Sequence, residues 1–330
     1  MNISEYMIYD IFYNDLNEYV VISANITSYN IQIKINDFLI PTKKLKCGHG
    51  HSTVYLLENQ PYQEEIELYL SDGKQIKTKV NRYPSYEGEI IMSTCVKNED
   101  NYIIQWINYY KMLGVKRFII YDNKNGDNSK FHSYFVPSKD KQSNLSNLLK
   151  KFIESGEVIL IDWPFDLKFQ MTQQTHSIHA FKKSKWIGLF DVDEYVNPKI
   201  EPYSLDLLFD NILEKTNRKY DQIGGLMLQS KFFNNPEKNP EKDYQFLNCY
   251  NCGEILNGSY EKIFVNPKNV LNFSCHRITN GLSSILVPDQ WLSINHYFFL
   301  NKTDRGQNKL ENTDDSIKIH VNRLLNKLEV

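Results

Sequence analysis

The chain has no apolar run near the roughly 20 residues that cross a bilayer as a helix, and its opening, Met1-Asn2-Ile3-Ser4-Glu5, carries neither a basic stretch nor an apolar signal core. A soluble, cytoplasmic protein without a transmembrane segment is expected, peripheral to a membrane only through partners. It has little excess of either charge: 38 Lys and Arg stand against 40 Asp and Glu in 330 residues, a net charge of -2. No overall basic field exists to hold nucleic acid. Cysteine is sparse and odd in number, with Cys47, Cys95, Cys249, Cys252 and Cys275; this argues against a secreted disulfide framework and suits a reducing compartment. The Cys249-Tyr250-Asn251-Cys252 pair has half the spacing of a tetrahedral zinc site, but only Cys275-His276 follows as a partner, so two ordinary thiols are the simpler reading. No glycine-rich phosphate loop follows Met92, as a nucleotidyltransferase would require.

Aromatic residues are plentiful, with 22 Tyr and 18 Phe able to fill cores or line sugar-binding surfaces. At 39.0 kDa the chain is long enough for a large α/β domain and a smaller companion. From about Glu18 to Val80 the pattern alternates with period two, and Ser71-Asp72-Gly73-Lys74 reads as a hairpin turn between the strands 65–70 and 75–80. An antiparallel β-sandwich over residues 1–86 is predicted, ending where Pro84 and Gly88 interrupt the alternation.

Residues 87–330 read differently. Apolar runs at 89–96, 117–121, 158–161 and 187–190 alternate with helical patterns at 103–112, 145–155 and 170–183. Strand, helix, strand is the βαβ unit of a parallel sheet, and such sheets bind ligands beyond the carboxyl ends of their strands. A helix over 205–215, a strand over 225–233, strands at 262–265 and 270–273, and a charged C-terminal helix complete the reading. The stretch 234–243 reads as a long loop, a candidate lid.

The run Ile187-Gly188-Leu189-Phe190 ends in Asp191-Val192-Asp193-Glu194. On an extended backbone the two aspartates would share one face, where a divalent cation relieves their repulsion and keeps positions open for phosphate oxygens. A strand followed by the acidic first turn of a helix reads equally well from this stretch alone.

Several ordered blocks resemble glycosyltransferase family 92 and its GT-A relatives: Cys95-Val96-Lys97-Asn98-Glu99, Trp106 to Tyr110, Leu113-Gly114-Val115, Phe118 to Asn123, Trp186 to Tyr195, Lys262 to Pro267, His276, and Ile294-Asn295-His296-Tyr297. The resemblance implies a Rossmann-like GT-A domain with a mostly parallel sheet and flanking helices. It implies a UDP-sugar donor, galactose being the first guess, a Mn²⁺ or Mg²⁺ ion, inversion at the anomeric carbon, and a glycan or glycoprotein acceptor. By the same resemblance Val96, Lys97, Asn98, Glu99, Asp122 and Asn123 wall the nucleotide, Asp191 holds donor and metal, Asp193 and His296 ligate the metal, and Lys262 meets the diphosphate.

Each role has a plain rival: Asn98 and Glu99 as a helix cap and first turn, His296 as a core histidine, Lys262 as a solvated strand-edge lysine. Inversion needs a carboxylate to take the acceptor's proton; Glu261, Asp289 and Glu254 stand in the right half of the chain, with Asp289 beside Trp291. Phe232-Phe233-Asn234-Asn235-Pro236 stands where many relatives carry a glycine-rich acceptor loop, which leaves the acceptor open. A carbohydrate-binding protein built on a degenerate transferase domain is the alternative from another class.

Overall fold

A computed structural model describes residues 8–24, 30–35, 38–47, 52–97, 100–123, 143–163, 169–233, 250–256, 260–274, 276–297 and 312–328. The protein is a mixed α/β structure, richer in strands than expected, whose described residues form five sheets. Among them no helix is long and apolar enough to cross a membrane.

The central sheet has seven strands. Its first half runs Val158–Asp162, Arg117–Asp122, Ile90–Val96, Trp186–Leu189, all mutually parallel, so the chain starts in the middle and moves outward in both directions. Lys262–Val265 follows antiparallel, then Gly225–Leu228 and Ser284–Leu286 return to the original direction. Six of the seven strands therefore point one way, and the reversed one begins where its neighbour Trp186–Leu189 ends. Lys262, its first residue, is thus delivered to the same sheet edge as Val96, Asp122 and Phe190.

The apolar runs of these strands are continuous because both faces are buried. Ile90, Met92, Phe118, Ile120 and Trp186 face one core with the helices Asp100–Met112, Leu205–Lys215 and Lys318–Leu328. Ile91, Cys95, Ile119, Tyr121, Ile187 and Leu189 face the other. Gly188 has no room for more: a Cβ there would lie 2.5 Å from Met92 Sδ and 2.7 Å from Phe264 Cε1.

The second core is shared. Tyr9, Phe12, Val20, Ile22, Val54 and Leu56 of the N-terminal five-stranded sheet pack into it. That sheet's other face, with Ile11, Tyr19, Val21 and Tyr55, closes on Ile31, Ile33, Ile66, Leu68 and Ile76 of a four-stranded sheet. The predicted hairpin joins Glu65–Leu70 to Gln75–Lys79, with Gly73 at φ +85° and Leu70 N–H donating to Lys74 O at 2.9 Å.

The expected strand 225–233 breaks at Gln229. Gly225–Leu228 stays in the central sheet, while Ser230–Phe233 joins a second five-stranded sheet with Glu194–Pro198, Leu292–His296, Asn251–Leu256 and Asn312–Thr313. The helix expected over 145–155 is two pieces, Leu145–Leu148 and Lys150–Glu154. The candidate lid 234–243 and the pair Cys249 and Cys275 lie outside the described residues, and Cys47, Cys95 and Cys252 are buried thiols outside any disulfide.

Candidate functional site

The acidic stretch does not continue the strand. After Leu189 the chain turns: Glu194 N–H donates to Asp191 O at 3.1 Å, and Glu194 opens a new strand in another sheet. The period-two argument for the aspartates therefore fails, because they sit in a tight turn. The turn separates their tasks.

Asp191 is held from two sides. Gln170, at the start of the helix Phe169–Ala180, donates to Oδ1, and Lys262 Nζ lies 2.8 Å from Oδ2. The same ammonium lies 3.1 Å from Glu194 Oε2, which also accepts the Asp191 N–H at 2.9 Å. Lys262 is buried, not solvated at a strand edge. Burial works against its charge, yet the carboxylates of Asp191 and Glu194 outweigh it and hold the ammonium well above the ordinary lysine range.

Asp193 faces the other way. Glu194 and His296 are direct cross-strand partners in the antiparallel pair Glu194–Pro198 with Leu292–His296. His296 Nε2 lies 3.4 Å from Asp193 Oδ2, and its Nδ1 lies 3.6 Å from Glu194 Oε1. One ligand atom from each of Asp193, Glu194 and His296 falls within 4.8 Å of the others. Phe232, in parallel register with His296, sets its ring edge-on at 5.0 Å. Two tyrosines of the helix Asp100–Met112 pin this strand: Tyr110 Oη donates to Glu194 O at 3.0 Å, and Tyr109 Oη to Val196 O at 2.7 Å.

The cluster carries three carboxylates against one lysine. Burial, together with Asp191 and Asp193, pushes Glu194 up to about 7 in spite of Lys262 and His296. His296 is raised as well, since Asp193 and then Glu194 outweigh its burial. Asp193 Oδ1 and Glu194 Oε1 are buried without a hydrogen-bond partner among the described residues. Buried carboxylate oxygens in folded proteins are almost always satisfied. Two such oxygens beside an imidazole fit a Mn²⁺- or Mg²⁺-sized cation, whose preferred donors are carboxylate oxygen and imidazole nitrogen.

Of the residues expected from sequence, the structure brings Asp191, Asp193, His296 and Lys262 together and adds Glu194 to them. Val96 and Asp122 are register partners at the ends of adjacent strands, and Asn123 is fixed there by its N–H to Val96 O at 3.0 Å and its amide to Trp163 O at 2.7 Å. Lys97 follows Val96 at that edge; Asn98 and Glu99 lie outside the described residues. Glu261 is buried next to Lys262, and its carbonyl accepts from His276 Nδ1 at 2.7 Å. Asp289 is not in this group: its charge acts on Lys199 and Lys231, which pair with Asp314. Glu254 lines that same region with Lys231 and Cys252.

Sequence reasoning missed Gln170 and the place of Glu194 beside Asp193 and His296.

Comparison with known proteins places this geometry. A family 92 protein of Ricinus communis is 31% identical over 108 residues, covering 32% of this chain and 16% of the relative. One of Arabidopsis thaliana is 28% identical over 129 residues, covering 39% and 19%, and one of Oryza sativa subsp. japonica 25% over 105, covering 32% and 15%. The aligned regions thus span no more than about a quarter of these relatives' own length. The sequence profile named "Glycosyltransferase family 92" matches residues 91–327, which takes in every residue of the cluster, and the chain belongs to that family.

Proposed function

We propose that the protein is a metal-dependent, inverting glycosyltransferase of GT-A architecture that moves a sugar, galactose as the first candidate, from a UDP-sugar to a glycan or glycoprotein acceptor. The observation that carries this reading is the pair of buried oxygens on Asp193 and Glu194 that accept no hydrogen bond among the described residues and face His296 at the carboxyl edge of a parallel sheet. Asp193, Glu194 and His296 would hold the cation, which supplies positive charge against the diphosphate as it departs.

The chain's own groups do the rest. Val96, Asp122 and Asn123 form a rigid wall for the nucleotide, because each is locked by backbone pairing between neighbouring strands. Lys262 presents a permanent ammonium at the same edge, fixed by Asp191 and Glu194 and so already oriented before donor binds. Gln170 keeps Asp191 turned toward Lys262. Glu261, buried beside Lys262, is the carboxylate among the three candidates that stands at this edge, and we assign it to take the acceptor's proton.

The test is thermal unfolding with UDP in the presence and absence of Mn²⁺, paired with turnover of a panel of UDP-sugars. Binding to the native state alone raises the melting temperature by mass action. A UDP shift that requires Mn²⁺ and disappears in Asp193→Asn supports the assignment. No shift with any nucleotide removes it and favours a sugar-binding protein with a degenerate site.

A further inference from the structure

We propose that the edge formed by Phe38 to Lys46 docks the protein on an anionic lipid surface. Two edge strands meet on one side of the N-terminal unit: Phe38–Pro41 closes the four-stranded sheet and Lys43–Cys47 closes the five-stranded one, with Thr42 between them. Phe38 is 74% exposed and Leu39 44%. An aromatic and an aliphatic side chain held in water at the rim of a sheet lose apolar contact that an interface would restore.

The charge around them is positive on balance. Lys43, Lys44 and Lys46 are exposed, and Asp37 is the one carboxylate from 37 to 47, so this stretch is +2 in a chain of net charge -2. The strands next to it add no acid: Ser52–Leu57, which pairs Lys43 with Leu56 and Lys46 with Thr53, has none, and neither does Ile31–Ile35. Between the two edges lies a cavity of about 490 Å³ with a mixed lining, in which Thr42, Lys44 and Ser71 stand beside Ile31, Pro41 and Leu70. Hydroxyls and one ammonium are donors for a phosphate and its polar substituent. Apolar side chains and lysines on neighbouring edge strands, with a recess of mixed lining between, match the layering of a bilayer surface, where acyl chains lie beneath anionic headgroups.

The site lies in the N-terminal unit, and its test does not depend on catalysis. The full chain is sedimented with vesicles of mixed phosphatidylserine and phosphatidylcholine, with vesicles of phosphatidylcholine alone, and without vesicles. Binding to the mixed vesicles only, weakening as salt is raised, is expected. Lys43→Ala with Lys46→Ala is expected to lower partitioning roughly 25-fold, about fivefold for each ammonium near the surface, and Phe38→Ser with Leu39→Ser about tenfold. All four side chains are exposed, so the variants should melt with the parent. A chain that stays in the supernatant with mixed vesicles at low salt, variants that sediment as the parent does, or pelleting without vesicles through edge-to-edge association overturns the proposal.

Discussion

Two buried clusters in this protein each join carboxylate and histidine, and they are finished differently. In the first, Asp10 of the strand Ile8–Tyr13 takes four hydrogen bonds, from Ile11 N, Asn81 and Tyr83 at 2.7 Å each and from His176 Nε2 at 2.8 Å. His176 Nδ1 meets Tyr121 Oη at 2.6 Å, which accepts from Ser177; Ser177 in turn meets Ser93, and Gln173 donates to both serines. In the second, around Asp193, Glu194 and His296, two carboxylate oxygens accept no hydrogen bond among the described residues. A satisfied polar network specifies packing, whereas an incomplete one keeps places for something else. The helix Phe169–Ala180 links them, since Gln170 reaches Asp191 while Gln173, His176 and Ser177 belong to the closed network.

The comparison makes its largest prediction at Asp10. Asp10→Ala strands the buried imidazole of His176 and takes the acceptor from half-buried Tyr83 and exposed Asn81, and should cost about 3–5 kcal/mol in urea or guanidinium unfolding. A loss below about 1 kcal/mol would show that the closed network contributes little to stability.

The same residue sets a pH dependence. Burial pushes the Asp10 carboxyl up, but the hydrogen bond and charge of His176, with Tyr83 and Asn81, outweigh it and leave it below its ordinary value. A carboxylate depressed on folding contributes stability above its unfolded pKa, about 3.9, and that contribution is lost as pH falls toward the folded value. Asp10→Asn should therefore show a shallower loss of unfolding free energy than the parent as the solution is acidified below that point.

A smaller effect is expected at Tyr110. Tyr110→Phe leaves Glu194 O without the phenol donor and Val196 N without its acceptor at 3.2 Å, for about 1–3 kcal/mol of stability. Transfer activity should fall further than stability alone explains, because the strand bearing Glu194 loosens. Smallest is Asp193→Asn. Removing one of three crowded carboxylates should change metal-free stability by less than about 1 kcal/mol, while the Mn²⁺-dependent shift vanishes. If instead Asp193→Asn unfolds the protein as Asp10→Ala does, the two clusters are alike and the contrast is lost.

Much of the frame could be read from the residues alone. The parallel strands announce themselves as short apolar runs, the Ser71 to Lys74 turn follows from Asp72-Gly73, and the helix Leu205–Lys215 has its five buried apolar positions on one side. Less visible were features set by contacts distant in sequence. Nothing local says that Glu194 will lie opposite His296, or that Ile8–Tyr13 is a strand whose lone acid meets a histidine far along the chain. The helix Phe169–Ala180 was expected near its observed bounds, but Thr172, Gln173, Gln174, Thr175, His176 and Ser177 are buried. A polar stretch of that kind reads as solvent-facing until the network that satisfies it is known. The turn after Leu189 was hidden because Asp-x-Asp suits a strand end, a helix start and a turn alike.

The core that Tyr9, Phe12, Val20 and Leu56 share with Ile119, Tyr121 and Ile187 also bears on modularity. A fragment starting at residue 87 would bare that apolar floor and deprive His176 of its acid, so the larger portion should not survive excision as an autonomous body. Calorimetry of the intact chain should accordingly trace one cooperative endotherm, and chimaeras that exchange the amino-terminal sheets would have to carry the matching floor with them.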